Sequence, residues 1–373
     1  MAEVDLRGRH VLILNWRDTA HPEGGGSELY VEQMGRGLVE RGARVTMLCP
    51  RYHGARRRED HGGMALWRVG GRLSIYLVVP LLALMRRLPR HDLAIEIQNG
   101  VPFLASAYLR APVLVVVHHV HREQWRILFG PIAARFGWWL ESRVAPYVGR
   151  HSRYVTVSDA TRDELTSLGI DSDRICVVHN GSPDRGDVVA ADRSTTPELV
   201  VLGRLVPHKR VEIAIDVLRE LAPRFPGLRL TVVGEGWWHE TLTRHAAEHG
   251  VADLVTFTGR VDEDQKHVHL ARAWINLMPS VKEGWGLVVV EAGLHRTPTV
   301  AFHRAGGVRE SVRDEETGLL ADDETDFIGQ VERLLADGGL REDLGIAAEK
   351  HARSFDWGTS QAAFATETAG LIG

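Results

Sequence analysis

The first 190 residues of this 373-residue chain contain no lysine. Their 25 arginines stand against 20 aspartates and glutamates, a balance of +5; residues 191–373 carry 16 arginines, 4 lysines and 29 acids, −9, which together give the net −4. The basic half is expected to meet something anionic, though a chain this close to neutral is not expected to bind nucleic acid. Cysteine is nearly absent. Cys49 and Cys176 lie far apart at the ends of apolar runs, which excludes a disulfide framework and a cysteine metal site and suits a reducing compartment. The N-terminus MAEVDLRGRHVLILNW shows no basic head before a long apolar core, so no signal peptide is expected and the cytoplasm is the expected location. The longest apolar run, LSIYLVVPLLALM at 73–85, contains a proline and falls short of the ~20 residues that span a bilayer. It is expected to be a helix packed on the core. Arg72 before it and Arg86, Arg87 and Arg90 after it, with Arg56 to Arg58 upstream, leave a peripheral contact with an anionic membrane in view. GxxxxGK[ST] is missing, and no GxGxxG follows a strand with an acid closing the next one. A P-loop NTPase and an NAD enzyme are therefore poor fits.

What is present is regular. Runs such as HVLILNW, RVTMLCP, LAIEIQ and PVLVVVHH in the first half, and ELVVLGR, LRLTVVGEG, WINLMPS and PTVAFH in the second, are continuously apolar and alternate with helical periodicity. Unbroken rather than alternating apolar strands mean parallel sheets covered on both faces. The fold class expected is α/β, with two Rossmann-like doubly wound domains in series over 1–185 and 186–355. The stretch NGSPDRGDVVAADRSTTPE, 180–198, has the Gly, Pro, Ser and Asp content of a linker. Ligands of such sheets bind beyond the carboxyl ends of the strands, so two domains joined by a hinge are expected to enclose a cleft and to close on a ligand.

The residues at those strand ends suggest an anion. Gly24 to Gly26 precede a helix, where glycine lets backbone N–H groups approach negative charge. PVLVVVHH ends at His118, a candidate hydrogen-bond donor or base; His118 and His119 are adjacent and point to opposite sides, so a zinc site there is not expected. ELVVLGRLVPHK delivers Arg204 and Lys209 on one short loop. In VKEGWGLVVVEAG, Glu283 and Glu291 are eight residues apart, about two helical turns. With a helix beginning near Gly286, Glu283 sits in the loop before it and Glu291 on its second turn, a buried acid that needs a partner. Carboxylates there suit sugar hydroxyls.

GRLVPHK followed by EGWGLVVVEA resembles the donor site of the family 4 glycosyltransferases, retaining enzymes of the GT-B fold. GGGSELYVEQMGRGLVERGARVTML, VVVHH, VTVSDATRDEL, VVHNG and TPTVAFHRAGGVRESV are similar to that family's successive segments along nearly the whole chain. The resemblance implies that Arg204 and Lys209 neutralise the diphosphate of a nucleotide-sugar, with no metal or other cofactor required. It implies that Glu291 holds the ribose and that Glu283 holds the hydroxyls of the transferred sugar, helped by the backbone of Trp285, Gly286 and Leu287. Gly25 and Gly26 would approach the phosphates, His118 would touch the sugar, and Arg260 and Val261 would lie against the base. The C-terminal helix, 356–373, would return to the first domain, as the family's does. The acceptor implied is a lipid-linked sugar, a polysaccharide end or a small metabolite. Trp285 where the family often has Phe or Tyr, and Trp237 and Trp238 where it has smaller residues, are departures at the rim of the site. Two further readings stay open: a sugar-nucleotide epimerase of the same fold and a non-catalytic sugar-nucleotide binding module.

Overall fold

The computed structural model describes residues 4–183 and 191–372. The middle of the expected linker, 184–190, lies outside the described residues. The chain forms two compact units, one of residues 1–181 with 357–373 and one of 182–356.

The first unit is built on an eight-stranded sheet: β1 (His10–Leu14), β2 (Arg44–Cys49), β3 (Arg58–His61), β4 (Met64–Arg68), β5 (Leu93–Gln98), β6 (Val113–Val117), β7 (Arg153–Thr156) and β8 (Ile175–Val177). Their order is β3-β4-β2-β1-β5-β6-β7-β8. Every residue of β1, β5 and β6 is buried, the condition that the continuous apolar runs foretold. All pairs are parallel except β3 with β4. That antiparallel edge hairpin corrects the expectation of a wholly parallel sheet. Its sequence REDH alternates exposed and half-buried residues, and a polar edge strand carries no apolar signal. The chain's last helix, Trp357–Ile372, belongs to this unit and packs on the helix Gly26–Glu40, with Phe364 edge-on to Tyr30 and Gln361 bonded to the Gln33 carbonyl.

Residues 73–85 pack on the core as expected, through a narrow strip of the helix they form, Ile75–Leu84. Only Ile75 and Val79 of it are fully buried. Leu73, Leu77, Leu81, Leu84 and Met85 are exposed, Leu77 by 75%. Among the described residues, no helix is long and apolar enough to cross a membrane.

The second unit holds β9 (Glu198–Leu202), β10 (Arg229–Val233), β11 (Val255–Gly259), β12 (Ile275–Met278), β13 (Thr299–Phe302) and β14 (Gly318–Ala321), all parallel, in the order β11-β10-β9-β12-β13-β14. The helix Val211–Leu221 buries seven side chains on one face, among them Ile213, Val217 and Leu221, against this sheet. Successive strands step from β9 out to β11, and the chain then returns to β12 on the other side of β9. The switch between β9 and β12 opens a crevice at their carboxyl ends. In the first unit the same reversal falls between β1 and β5.

Candidate active site

Lys209 and Glu283 emerge on either side of that switch. Lys209 follows β9, Glu283 follows β12, and Lys209 Nζ lies 2.5 Å from Glu283 Oε1. The two loops are tied by the Val281 N–H, which donates to the His208 carbonyl at 2.9 Å. The turn after β13 completes the frame: the Glu283 N–H donates to the Ala305 carbonyl, and the Gly307 N–H to the Glu283 carbonyl. Gly306 takes φ 75°, and a Cβ there would stand 2.8 Å from the Glu283 carbonyl oxygen. Only glycine fits that approach. Burial alone would raise the Glu283 carboxyl; the Lys209 ammonium and the Ser280 hydroxyl outweigh it and hold the group below the usual carboxylate range. The pair is partly open to solvent, with 23% of the Lys209 side chain and 15% of the Glu283 side chain exposed.

Arg204 shares the loop with Lys209, half-buried, and its guanidinium makes no hydrogen bond or ion pair among the described residues. A half-buried cation without a counter-charge stands ready for an anion. A buried lysine, Lys282, and a partly buried one, Lys266, escaped the sequence reading of this unit. Lys282 lies with its side chain against Gly306. Lys266 supplies the partner that Glu291 required, with Nζ 2.7 Å from Glu291 Oε1 and 2.6 Å from Glu263 Oε2. Burial alone would lower the Lys266 ammonium, but Glu291 and Glu263 raise it above the ordinary lysine range. The helix Glu263–Arg272, which carries Lys266, is fastened a second time by His267 Nδ1, 2.8 Å from His295 Nε2. Burial, with the neighbouring His267, pushes His295 down to about 4. The signal for Lys266 lay in VDEDQK, but pairing across 25 positions is a tertiary fact.

Glu291 sits on the second turn of the helix Leu287–Leu294, whose N-cap is Gly286 at φ 91°. The first amides of such a helix have no intrahelical acceptor. Trp285 is buried against Phe355 at 4.9 Å between ring centres, and its carbonyl accepts from Ser311 Oγ. Its indole is thus a packing element, leaving the backbone of 285–287 as the polar surface. Val261 packs beside Val200, Val233 and Ala292, while Arg260 is exposed and lies 3.9 Å from Glu235. Asp216, His245 and His249 form the one convergence of three metal-ligand side chains among the described residues, and it shares no residue with this site.

The remaining candidates belong to the first unit. Gly25 caps the helix Gly26–Glu40 in extended conformation, and its N–H donates to Glu28 Oε2 at 2.8 Å. One of the amides expected to face an anion is therefore already bonded, and the offer passes to the following residues of the first turn. His118, just beyond β6, is buried with Nε2 unpartnered and the Tyr30 ring edge-on at 5.3 Å. Burial, then the nearby His121, push it down to about 4, so it is a neutral imidazole at pH 7. Glu141, unremarked in the sequence, organises the turn after it, accepting from the His121 N–H and from Trp125 Nε1.

The likenesses to known proteins cover both units. The family described as Glycosyltransferase Family 4 matches residues 24–183, and that described as Glycosyl transferases group 1 matches 188–351. The GDP-mannose-dependent alpha-(1-6)-phosphatidylinositol monomannoside mannosyltransferase of Mycolicibacterium smegmatis is 30% identical over 92% of this chain and 94% of its own. Among solved structures, the sucrose-phosphate synthase of Thermosynechococcus elongatus aligns with a TM-score of 0.78 at 18% identity, over 97% of this chain and 98% of its own. Anabaena Alr3699/HepE, in complex with UDP and glucose, aligns at 0.73 and 19% identity over 97% of this chain and all of its own. Arg204, Lys209, Glu283 and Glu291 thus stand on a GT-B scaffold, and the chain belongs to the family 4 glycosyltransferases, enzymes that use nucleotide-sugars.

Proposed function

We propose that the protein is a retaining, metal-independent hexosyltransferase in which Arg204 and Lys209 receive the departing diphosphate. The observation that supports this most is the contrast on one loop: Lys209 is held by Glu283, while Arg204 has no counter-charge among the described residues. Negative charge grows on the β-phosphate as the glycosidic bond breaks. Fixed cations at that point favour the transition state over the ground state. Glu291, held by Lys266, takes the ribose hydroxyls. Glu283 and the free amides at the start of the helix Leu287–Leu294 take the sugar hydroxyls. In the first unit, neutral His118 is assigned to the sugar and the Gly25–Gly26 turn to the phosphates, with Gly26 rather than the Glu28-bonded Gly25 offering its amide.

The acceptor hydroxyl attacks the anomeric carbon from the face the diphosphate leaves. A new C–O bond forms, the C–O bond to the β-phosphate breaks, and the proton passes to a departing phosphate oxygen. No protein nucleophile is invoked. The relative's use of GDP-mannose and a phosphatidylinositol mannoside makes a GDP-hexose the first donor to test and a lipid-linked acceptor the first class. A peripheral contact of the basic first half with an anionic membrane completes the reading.

A thermal-shift panel of GDP-, UDP- and ADP-sugars identifies the donor, since binding stabilises by mass action. Anomeric coupling constants of the product then report the stereochemistry, and inversion refutes retention. Arg204→Ala is expected to lower turnover ~10²-fold without loss of thermal stability. Arg204→Lys does little better, because a point charge replaces a fork. Near-normal turnover in both variants overturns the assignment.

A further inference from the structure

Among the described residues, the exposed large hydrophobic side chains other than Trp237 and Ile346 lie in two segments of the first unit, 73–85 and 127–147. Each segment carries a helical stripe. In the first, Leu77, Leu81 and Leu84 repeat at three to four residues along the helix Ile75–Leu84, and Leu73 continues the spacing in the turn before it. In the second, Ile132, Phe136 and Trp139 continue through a π-turn at Leu140–Val144 to Tyr147, with Ile132 exposed by 85%. Such spacing lines up on one side of a helix. Isolated exposed apolar residues need no explanation, but two aligned stripes do.

Within the two segments that carry the stripes the exposed charge is all of one sign, and the acids nearest on that face, Asp159 and Asp163, stand on the next helix, Asp159–Ser167. From His61 to His91 there is no acidic residue, and Arg72, Arg86, Arg87 and Arg90 are exposed. From Gln124 to Ser158 the single acid, Glu141, is 1% exposed and bonded to His121 and Trp125, while Arg126, Arg135, Arg143 and Arg150 are exposed.

Both stripes also lie over the same face of the sheet. The connections β4 to β5 and β6 to β7 step in the same direction along the strand order, and β1 to β2 steps in the opposite one. Parallel crossovers are right-handed. The helix Ile75–Leu84 and the helical stretch 131–148 therefore cover one face, and Gly26–Glu40 covers the other, where Trp357–Ile372 joins it. Packing agrees: Ile75, Val79, Leu165 and the half-buried Trp138 share one core cluster.

We infer that this face of the first unit docks on an anionic lipid bilayer, with the leucine and aromatic stripes in the interface and the arginines on the head groups. The inference deepens the proposed peripheral contact by naming the surface that makes it; it does not need the donor assignment to be correct. Apolar stripes flanked along their own segments by exposed arginines alone match the chemistry of an acidic membrane surface. A second copy of the chain would bring the same arginines against one another.

The test is cosedimentation of the full chain with phosphatidylcholine vesicles containing phosphatidylglycerol, against phosphatidylcholine alone. Partitioning is expected only with the anionic lipid and is expected to weaken with salt. Two double variants, Leu77→Glu/Leu81→Glu and Phe136→Glu/Trp139→Glu, each lower partitioning at least ~10-fold. Arg86→Gln/Arg87→Gln/Arg90→Gln lowers it ~10²-fold. Unchanged melting temperatures and unchanged nucleotide binding confine each effect to the surface. Absence of wild-type binding at low salt, or binding that the glutamates leave intact, overturns the inference. So does light scattering that finds a dimer which the same glutamates dissolve, since the face is then a self-interface.

Discussion

Replacing Lys209 by methionine separates the structural work of the Lys209–Glu283 pair from its catalytic work. The substitution keeps the apolar stem and deletes the charge 2.5 Å from Glu283. The carboxylate then stays largely enclosed, with 15% of its side chain exposed, and has lost its main counter-charge. Leaving a buried charged acceptor unpaired costs about 1–3 kcal/mol or somewhat more. The pair is not fully dry, so the middle of that range applies. For a unit of this size, ~2 kcal/mol lowers the melting temperature by ~4–8 °C. The pH dependence has a definite sign. In the wild type, the Glu283 carboxyl is held low, so its contribution to stability is present above the unfolded-state value of ~4.3 and is lost as pH falls through the folded-state value. In Lys209→Met, burial acts without Lys209 and raises the group, so the carboxylate destabilises at pH 7 and the penalty fades as it protonates on acidification. The gap between variant and wild type is therefore widest at neutral pH and narrows below pH 5. Scanning calorimetry across pH measures it. The double variant Lys209→Met/Glu283→Gln recovers the stability but not the turnover, which stays ~10²-fold down. Equal melting temperatures for single variant and wild type at pH 7 refute the ion-pair energetics. Recovery of turnover in the double variant refutes the diphosphate role.

Lys266→Met frees Glu291 from its partner and is expected to raise KM for the nucleotide-sugar ~10-fold or more, with a smaller change in kcat; steady-state kinetics check it, and a purely kcat effect rejects Lys266 as the residue that positions Glu291. His118 is held near 4 by burial and then by His121, below the unfolded value of ~6.5, so folding stability falls as pH drops between those values. His118→Asn removes that part of the acid loss, and an imidazole resonance of His118 that titrates near 6.5 in the folded protein contradicts its enclosure.

The two parallel sheets were legible because strands covered on both faces read as unbroken apolar runs, and β1, β5, β6 and β12 are buried at every position. Their end residues were legible too: Arg204 and Lys209 share one loop, and Glu283 and Glu291 flank a helix start, so local geometry brings them to the strand ends. Polar β3 was not, because an edge strand half open to water has no apolar periodicity to betray it. Nor could the run 73–85 reveal that most of its helix faces outward, since composition counts apolar residues and not which of them meets the sheet. Which charges pair was a matter for the tertiary structure alone. Lys209 meets Glu283 across 74 positions and Lys266 meets Glu291 across 25, whereas Arg204 meets no partner among the described residues. Ion pairs form between whichever strand ends and helices the sheet order makes adjacent, and strand order is settled by packing over the whole unit.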